Sequence, residues 1–320
     1  MAFGSAAGYD NLPNGKWNPS IYSQKVLKFF RRASVAEAIT NTDYSGEIEN
    51  FGDTVKIIKE PTVTVSSYTR GSVVNTQDLS DTEISLIVDQ GNYFAFKVDD
   101  IEERQSHVNW ESLATSSGAF SLKKAFDYNV LKEINDSAVQ GTATTDTGAT
   151  TAAISCNTGN EAANVLARFA QQLDANDVPQ ENRWFVANSG FYEILKQADA
   201  KLMDASVTGE SASALMNGAI TARKIHGFTL YQTNVIQTGS VGSAAAFTFG
   251  PSATSGETTL LAGHMSAVAT ASHIAKTEVI RDPDSFADIV RGLHVFGRKV
   301  LRGSGTGFKG VLQGVVDLNT

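Results

Sequence analysis

The period of hydrophobic positions changes several times along this chain, and each change marks an element. Residues 1–19 are rich in Gly, Asn, Pro and Ala, carry no period, and read as an extended arm. After Pro19-Ser20, Tyr22, Val26, Phe29 and Phe30 fall at helical spacing. The opposite face carries Lys25, Lys28, Arg31 and Arg32, with no acid until Glu37. Such a face is either solvated or docks on an acidic partner. From Asp53 to Lys97 the period becomes two. Thr54–Ile58 and Pro61–Val65 predict one long β-rich arm, and Glu83–Val88 with Tyr93–Val98 its return. Between them, Ser66 to Ser80 is polar and holds Arg70-Gly71, as a hairpin tip would. Two strands alone are unstable in water, so this hairpin must lie on something else.

Asp99 to Gln140 predicts a long helix, with Trp110, Leu113, Phe120, Phe126, Val130, Leu131, Ile134 and Ala138 mostly three, four or seven residues apart. Gly118 and the Ser116-Ser117 pair mark where it would bend. Thr142 to Thr151 is a Thr/Ala/Gly loop. A compact unit follows: an amphipathic helix from Glu161 to Ala175, a buried strand Arg183–Ala187, and a short helix with Ser189 as its cap. Gly227–Tyr231, Phe247–Phe249 and Thr259–Leu261 read as further strands, and 264–281 with 289–302 as a final β-rich stretch.

Composition narrows the classes. At 320 residues and 42% hydrophobic, the chain can bury a real core, while only 19% of it is charged. A polar but weakly charged surface suits packing against other subunits. The net charge of -8 argues against a dedicated nucleic-acid binder. The single cysteine, Cys156, excludes an intrachain disulfide or a multi-Cys zinc site and reads as a small semi-buried filler. Without a basic, apolar leader or a run of membrane-spanning length, the chain is expected to fold in a cytoplasm and to contact no membrane.

No catalytic, cofactor or metal site emerges. Gly305–Gly310 matches the bare GxGxxG string, yet the phosphate-cradling use needs a helix after it and an acid about 20 residues on, and neither fits. It reads as a tail or turn. His107, His226, His264, His273 and His294 have no paired ligand spacing, and a strand over 264–273 would point its two histidines to opposite faces. Asp99, Asp100, Glu102 and Glu103 cluster at the start of the long helix, where the helix dipole accounts for them and a divalent cation is the alternative. No GxSxG elbow is present.

Three strings then carry a resemblance. Val178-Pro179-Gln180-Glu181-Asn182-Arg183-Trp184-Phe185-Val186 looks like a helix-to-strand entry, and Lys224–Asn234 contains a Gly-Phe-Thr-Leu-Tyr strand. Arg281-Asp282-Pro283-Asp284-Ser285-Phe286 runs on through Val290-Arg291-Gly292-Leu293 to Lys299-Val300. In these strings and in its order of parts, the chain resembles the major capsid proteins of tailed bacteriophages, of the Hong Kong 97-like α+β fold. The resemblance implies an N-terminal arm (1–45), an extended β-hairpin loop (46–98), a peripheral domain with a spine helix (99–154), an axial domain (155–262) and a return into the peripheral domain (263–320). It also implies pentamers and hexamers closing into an icosahedral shell around double-stranded DNA held non-specifically. A separate scaffolding protein, a portal protein and, in some relatives, a decoration protein would be partners. No enzyme activity is implied. Phe29, Phe30, Arg31, Arg32 and Arg70 are the expected inter-subunit contacts. Some relatives cross-link a loop Lys to a neighbour's Asn, but Lys56 and Lys59 sit low in this hairpin and the tip has no Lys. The alternatives are an encapsulin-type cellular compartment and, from another class, a monomeric nucleotide-binding enzyme.

Overall fold

The computed structural model describes residues 34–47, 54–61, 63–74, 76–79, 82–100, 110–141, 153–197, 224–236, 257–304 and 309–318. Its spine is one helix, α2 (Trp110–Ser137), preceded by a single-turn helix α1 (Ala36–Ile39). On α2, Phe126, Val130, Leu131 and Ile134, continued by Ala138 just past its end, form a buried stripe, as the spacing predicts. The stripe packs on a three-stranded antiparallel sheet in the order β3 (Gln90–Asp99), β10 (Ala287–Val300), β9 (Val268–Arg281). Phe126 meets Phe296 edge-on, with ring centroids 5.0 Å apart. One extra residue, His273, sits on β9 opposite the Val295–Phe296 step, a bulge that bends the long strand.

The helix runs unbroken through Gly118, where the glycine makes a seat. A Cβ there would lie 2.8 Å from the ring of Phe94 on β3, and a Cβ on Gly292 of β10 would overlap the same ring. Two glycines thus let one phenylalanine lie between helix and sheet. A second sheet is built on the buried strand β11 (Val311–Asp317), which pairs antiparallel with β8 (Glu257–His264) and parallel with the short strands β4 (Val139–Gln140) and β5 (Ile154–Ser155). Beyond β8 come β6 (Arg183–Ala187) and β7 (Phe228–Gln232), parallel to each other. Because β11 starts right after Gly310, the GxGxxG string leads into a strand. No helix follows the string, and with a strand coming next it is not a tail, one of the two readings, tail or turn, that the sequence left.

Against this sheet lies α3 (Gly159–Ala175), which opens with a capping box. The Thr158 hydroxyl accepts from the Glu161 amide at 3.3 Å, and the Glu161 carboxylate accepts from the Thr158 amide at 3.1 Å. The helix buries Val165, Leu166, Phe169 and Leu173 against Phe185 and Phe191. The following helix, α4 (Ser189–Leu195), is capped by Asn188 and not by Ser189: the Asn188 side chain accepts from Phe191 N–H at 2.9 Å. Cys156 is fully buried in this cluster, and burial holds its thiol up at about 12.

The hairpin is shorter than the alternation predicts. β1 (Thr54–Lys59) pairs with β2 (Thr82–Ile87), in register from Thr54↔Ile87 to Lys59↔Thr82. Residues 63–69 form no strand, and Tyr93–Val98 belongs to β3 beside β10. Nor does His264 open β9: it ends β8, and its ring accepts from Ser266 N–H at 3.1 Å at a one-turn 3-10 helix.

Candidate assembly surfaces

Three features of the described residues face outward. The first is the hairpin. Its root is anchored, since Leu86, Val88, Val295, Ala269, Ala271 and Leu301 form a small buried cluster with Val55, Ile57 and Ile84 against it. Cross-strand Lys56 and Glu83 pair at 2.7 Å on the outer face. Past the root the apolar side chains are bare: Val63, Val65, Tyr68, Val73 and Val74 are 66–94% exposed. Arg70, predicted as a contact, sits at the outer turn of this loop, exposed, with Gly71 taking a φ of 90°. The expected contacts Phe29, Phe30, Arg31 and Arg32 lie outside the described residues, as do His107, Glu102, Glu103 and Phe247–Phe249.

Among the described residues from 34 to 98, the large apolar side chains left bare are those of the hairpin and Tyr93. Val35, Ala36 and Ile39 are buried in the chain's own core, as are Leu86 and Val88 at the hairpin root. The residues that follow 33 are tied to the spine helix by Asp127, which is 3% exposed. Its carboxylate accepts from the Ser34 hydroxyl at 2.6 Å and from the Val35 and Ala36 amides at 3.3 Å each. This aspartate caps α1 from another helix. Its partners are some 90 residues away in sequence, so no local signal could have found it.

The second feature is the sheet face away from α2. Alternation sends Tyr93, Ala95 and Lys97 of β3 to that face, with Leu293, Arg291 and Ile289 of β10 and Lys276, Glu278 and Ile280 of β9 beside them. Arg291 bonds Glu278 across the strands at 2.8 Å, and Lys276 pairs with the same carboxylate. Tyr93 is 77% exposed.

The third is the turn joining β9 to β10, the most specific string in the sequence. Asp282 accepts from Lys97, from the Ser285 hydroxyl at 2.7 Å and from the Asp284 amide at 3.1 Å. These bonds, Lys97 foremost, lower its carboxyl to about 2. Arg281 bonds Asp100 with two nitrogens and Asp288 with one, which raises its pKa. Asp100 is therefore a partner for arginine, and no group of three or more metal-ligating side chains forms among the described residues.

A cavity of about 520 Å³ opens between α2 and the sheet, lined by Phe94, Leu122, Phe126 and His294, with Glu37 and Lys123 among its walls. Lys123 and Glu37 pair at 3.0 Å. Inside, the Ser272 hydroxyl lies 2.8 Å from Nε2 of His294. Burial lowers the His294 pKa, the Glu37 charge opposing it, which favours the neutral ring. A serine–base pair needs a third group to orient the base; among the described residues, none bonds the other ring nitrogen. The pair ties β9 to β10. The Asp174–Arg183 ion pair is likewise structural: Arg183, 1% exposed, donates to Asp174 at 2.7 Å, to the Pro179 carbonyl at 2.8 Å and to the Val178 carbonyl. Among the described residues, no helix is long and apolar enough to cross a membrane.

Comparison with solved structures gives near full-length matches. The chain superposes on one from Mycobacterium phage Che8 with a TM-score of 0.76 at 24% identity, covering 92% of this chain and 96% of that one. It matches the capsid structure of cyanophage P-SCSP1u at 0.68 and 17% identity, covering 97% and 94%. The cyanophage Pam1 capsid asymmetric unit gives 0.69 and 14%, covering 99% of each chain. No family model and no curated protein matches. The likeness establishes the fold: this is the α+β, Hong Kong 97-like architecture of phage capsid structures, as the three strings implied.

Proposed function

We propose that the chain is a phage major capsid protein that assembles as pentamers and hexamers into an icosahedral shell around double-stranded DNA. The observation that carries this reading is the hairpin. Its root is packed, yet Val63, Val65, Tyr68, Val73 and Val74 stay exposed and no cover for them is present among the described residues. A two-stranded ribbon with bare apolar side chains gains stability only from a surface supplied by another molecule. A neighbouring copy supplies it in every subunit at once, which is the economy of a symmetric shell. The net charge of -8 suits a container holding DNA without gripping it. A catalytic role is not part of this reading. Assembly in the host cytoplasm would use a scaffolding protein, with a portal at one vertex and any decoration protein added outside.

The test is electron microscopy of the purified full-length protein, alone and with its scaffolding protein. Closed polyhedral particles, or rings of five and six, are the expected result. A uniformly monomeric protein under both conditions would overturn the reading.

A further inference from the structure

Two exposed turns each hold one charged side chain without a partner among the described residues, beside bare apolar side chains, and these two charges are opposite. At the hairpin turn, Arg70 stands among Tyr68, Val73 and Val74. The turn is closed by Ser72, whose amide and hydroxyl both donate to the Thr69 carbonyl, at 3.0 and 2.7 Å. At the β9–β10 turn, Asp284 stands two residues from Phe286, which is 79% exposed. Three bonds to the Asp282 carboxylate fix this turn, and the Phe286 carbonyl accepts from the Asp100 amide at 3.1 Å.

Around Asp284 the neighbouring charges are matched: Lys97 with Asp282, Arg281 with Asp100 and Asp288, Arg291 and Lys276 with Glu278. Among the described residues the Asp284 carboxylate has no partner, and neither does the Arg70 guanidinium. The two turns are also rooted at opposite ends of one sheet. The hairpin leaves beside Gln90, while the second turn lies beside Asp99, which pairs with Ala287. Nine residues of strand separate the roots by about 30 Å.

We propose that these turns bind each other between copies of the chain. Arg70 of one subunit pairs with Asp284 of the next, and Tyr68, Val73 and Val74 cover Phe286. This rests on the shell reading and names one of its contacts. A phenylalanine presented by an internally bonded turn loses little freedom on binding, so its burial is retained as affinity. The charge pair at the rim fixes register and rejects wrong contacts. Because the two surfaces differ, the contact is head-to-tail and propagates around a ring or between rings.

The test is charge reversal in the full-length protein: Arg70→Asp, Asp284→Arg, and both together. The readout is the subunit concentration at which half the protein sediments as particles, with the melting temperature followed in parallel. Each single reversal should raise that concentration about tenfold, the factor that a modest like-charge clash produces. The double variant should return to within about threefold of the parent by restoring an opposite pair. The melting temperature of the free subunit should stay put, since neither side chain is bonded among the described residues. Single reversals that assemble like the parent, or a double variant no better than the singles, would overturn the tip contact while leaving the shell reading intact. A parent protein that forms no particle with or without scaffolding protein would overturn the shell reading, and this contact with it.

Discussion

Replacing Arg183 by Met tests whether the loop between α3 and β6 is held from beneath by one buried fork. Methionine keeps the bulk and removes the donors, so cavity formation adds little. Two bonds go to backbone carbonyls, of Pro179 at 2.8 Å and of Val178. Hydrogen bonds from a charged donor are worth about 1.5–3 kcal/mol each. The third partner, Asp174, has a side chain 49% exposed, so water replaces the arginine and the ion pair contributes at most about 1 kcal/mol. Opposing these losses, a guanidinium 1% exposed no longer has to be desolvated, and that relief recovers several kcal/mol of the gross sum. The net destabilisation is roughly 2–3 kcal/mol. The neighbouring Trp184, 2% exposed, makes a local probe. Urea titration of the free subunit at neutral pH, followed by tryptophan emission, should show a lower midpoint of matching size. Arg183→Lys should recover less than half, because an ammonium cannot reproduce the planar fork. A shift under about 0.5 kcal/mol for Arg183→Met, the range of an ordinary surface substitution, would refute the reasoning.

Gly292→Ala should destabilise the free subunit by about 1–3 kcal/mol through overpacking on the Phe94 ring; Phe94→Leu in the same chain should recover part of it, measured by the same titration. His294 should make stability fall on acidification. Its folded pKa is lowered by burial, so the unfolded chain binds the proton first, and stability is complete above about pH 6.5 and declines as pH drops from there toward the folded value. The facing charges, Glu37 and Lys123, are already paired, and Lys276 is occupied by Glu278. His294→Gln should flatten the urea midpoint between pH 7.5 and 5.5 if this account is right, and an unchanged slope would remove it.

Local periodicity found elements better than it found their partners. The 93–98 alternation correctly signalled a strand, but a period of two is the same whether the neighbour is the preceding hairpin strand or β10 far along the chain. Gly118 invited a helix bend because its packing role depends on Phe94, which the sequence cannot place above it. The last strand, β11, escaped notice behind the glycines of 303–310. Its signal was present as the apolar run Val311-Leu312 and Val315-Val316, split by Gln313-Gly314. Capping is within reach of spacing but is not read well from it: the Thr158–Glu161 box is passed over, and the next cap is placed at Ser189 where Asn188 serves. Asp282-Pro283-Asp284 is composed as a turn, and the bonds to the Asp282 carboxylate hold it as one. What could not be read was that Asp284 and Phe286 would be left bare while every charge around them is matched.

The chain therefore divides into two kinds of stability, and that division makes the proposals separable. The spine helix with its sheet, and the sheet around β11 with α3, bury their side chains in two large clusters. Changes there, such as Arg183→Met or Gly292→Ala, act on the free subunit and are independent of its concentration. The outer hairpin and the β9–β10 turn bury almost nothing in their own chain. Stability that depends on a second copy enters through mass action and grows with subunit concentration. Changes at Arg70, Asp284 or Phe286 should then leave unfolding of the free subunit untouched and move only assembly. A monomeric enzyme of this fold would have no reason to show that split. Surface variants that alter particle formation without altering subunit unfolding, and core variants that do the reverse, would tie the exposed apolar hairpin to assembly.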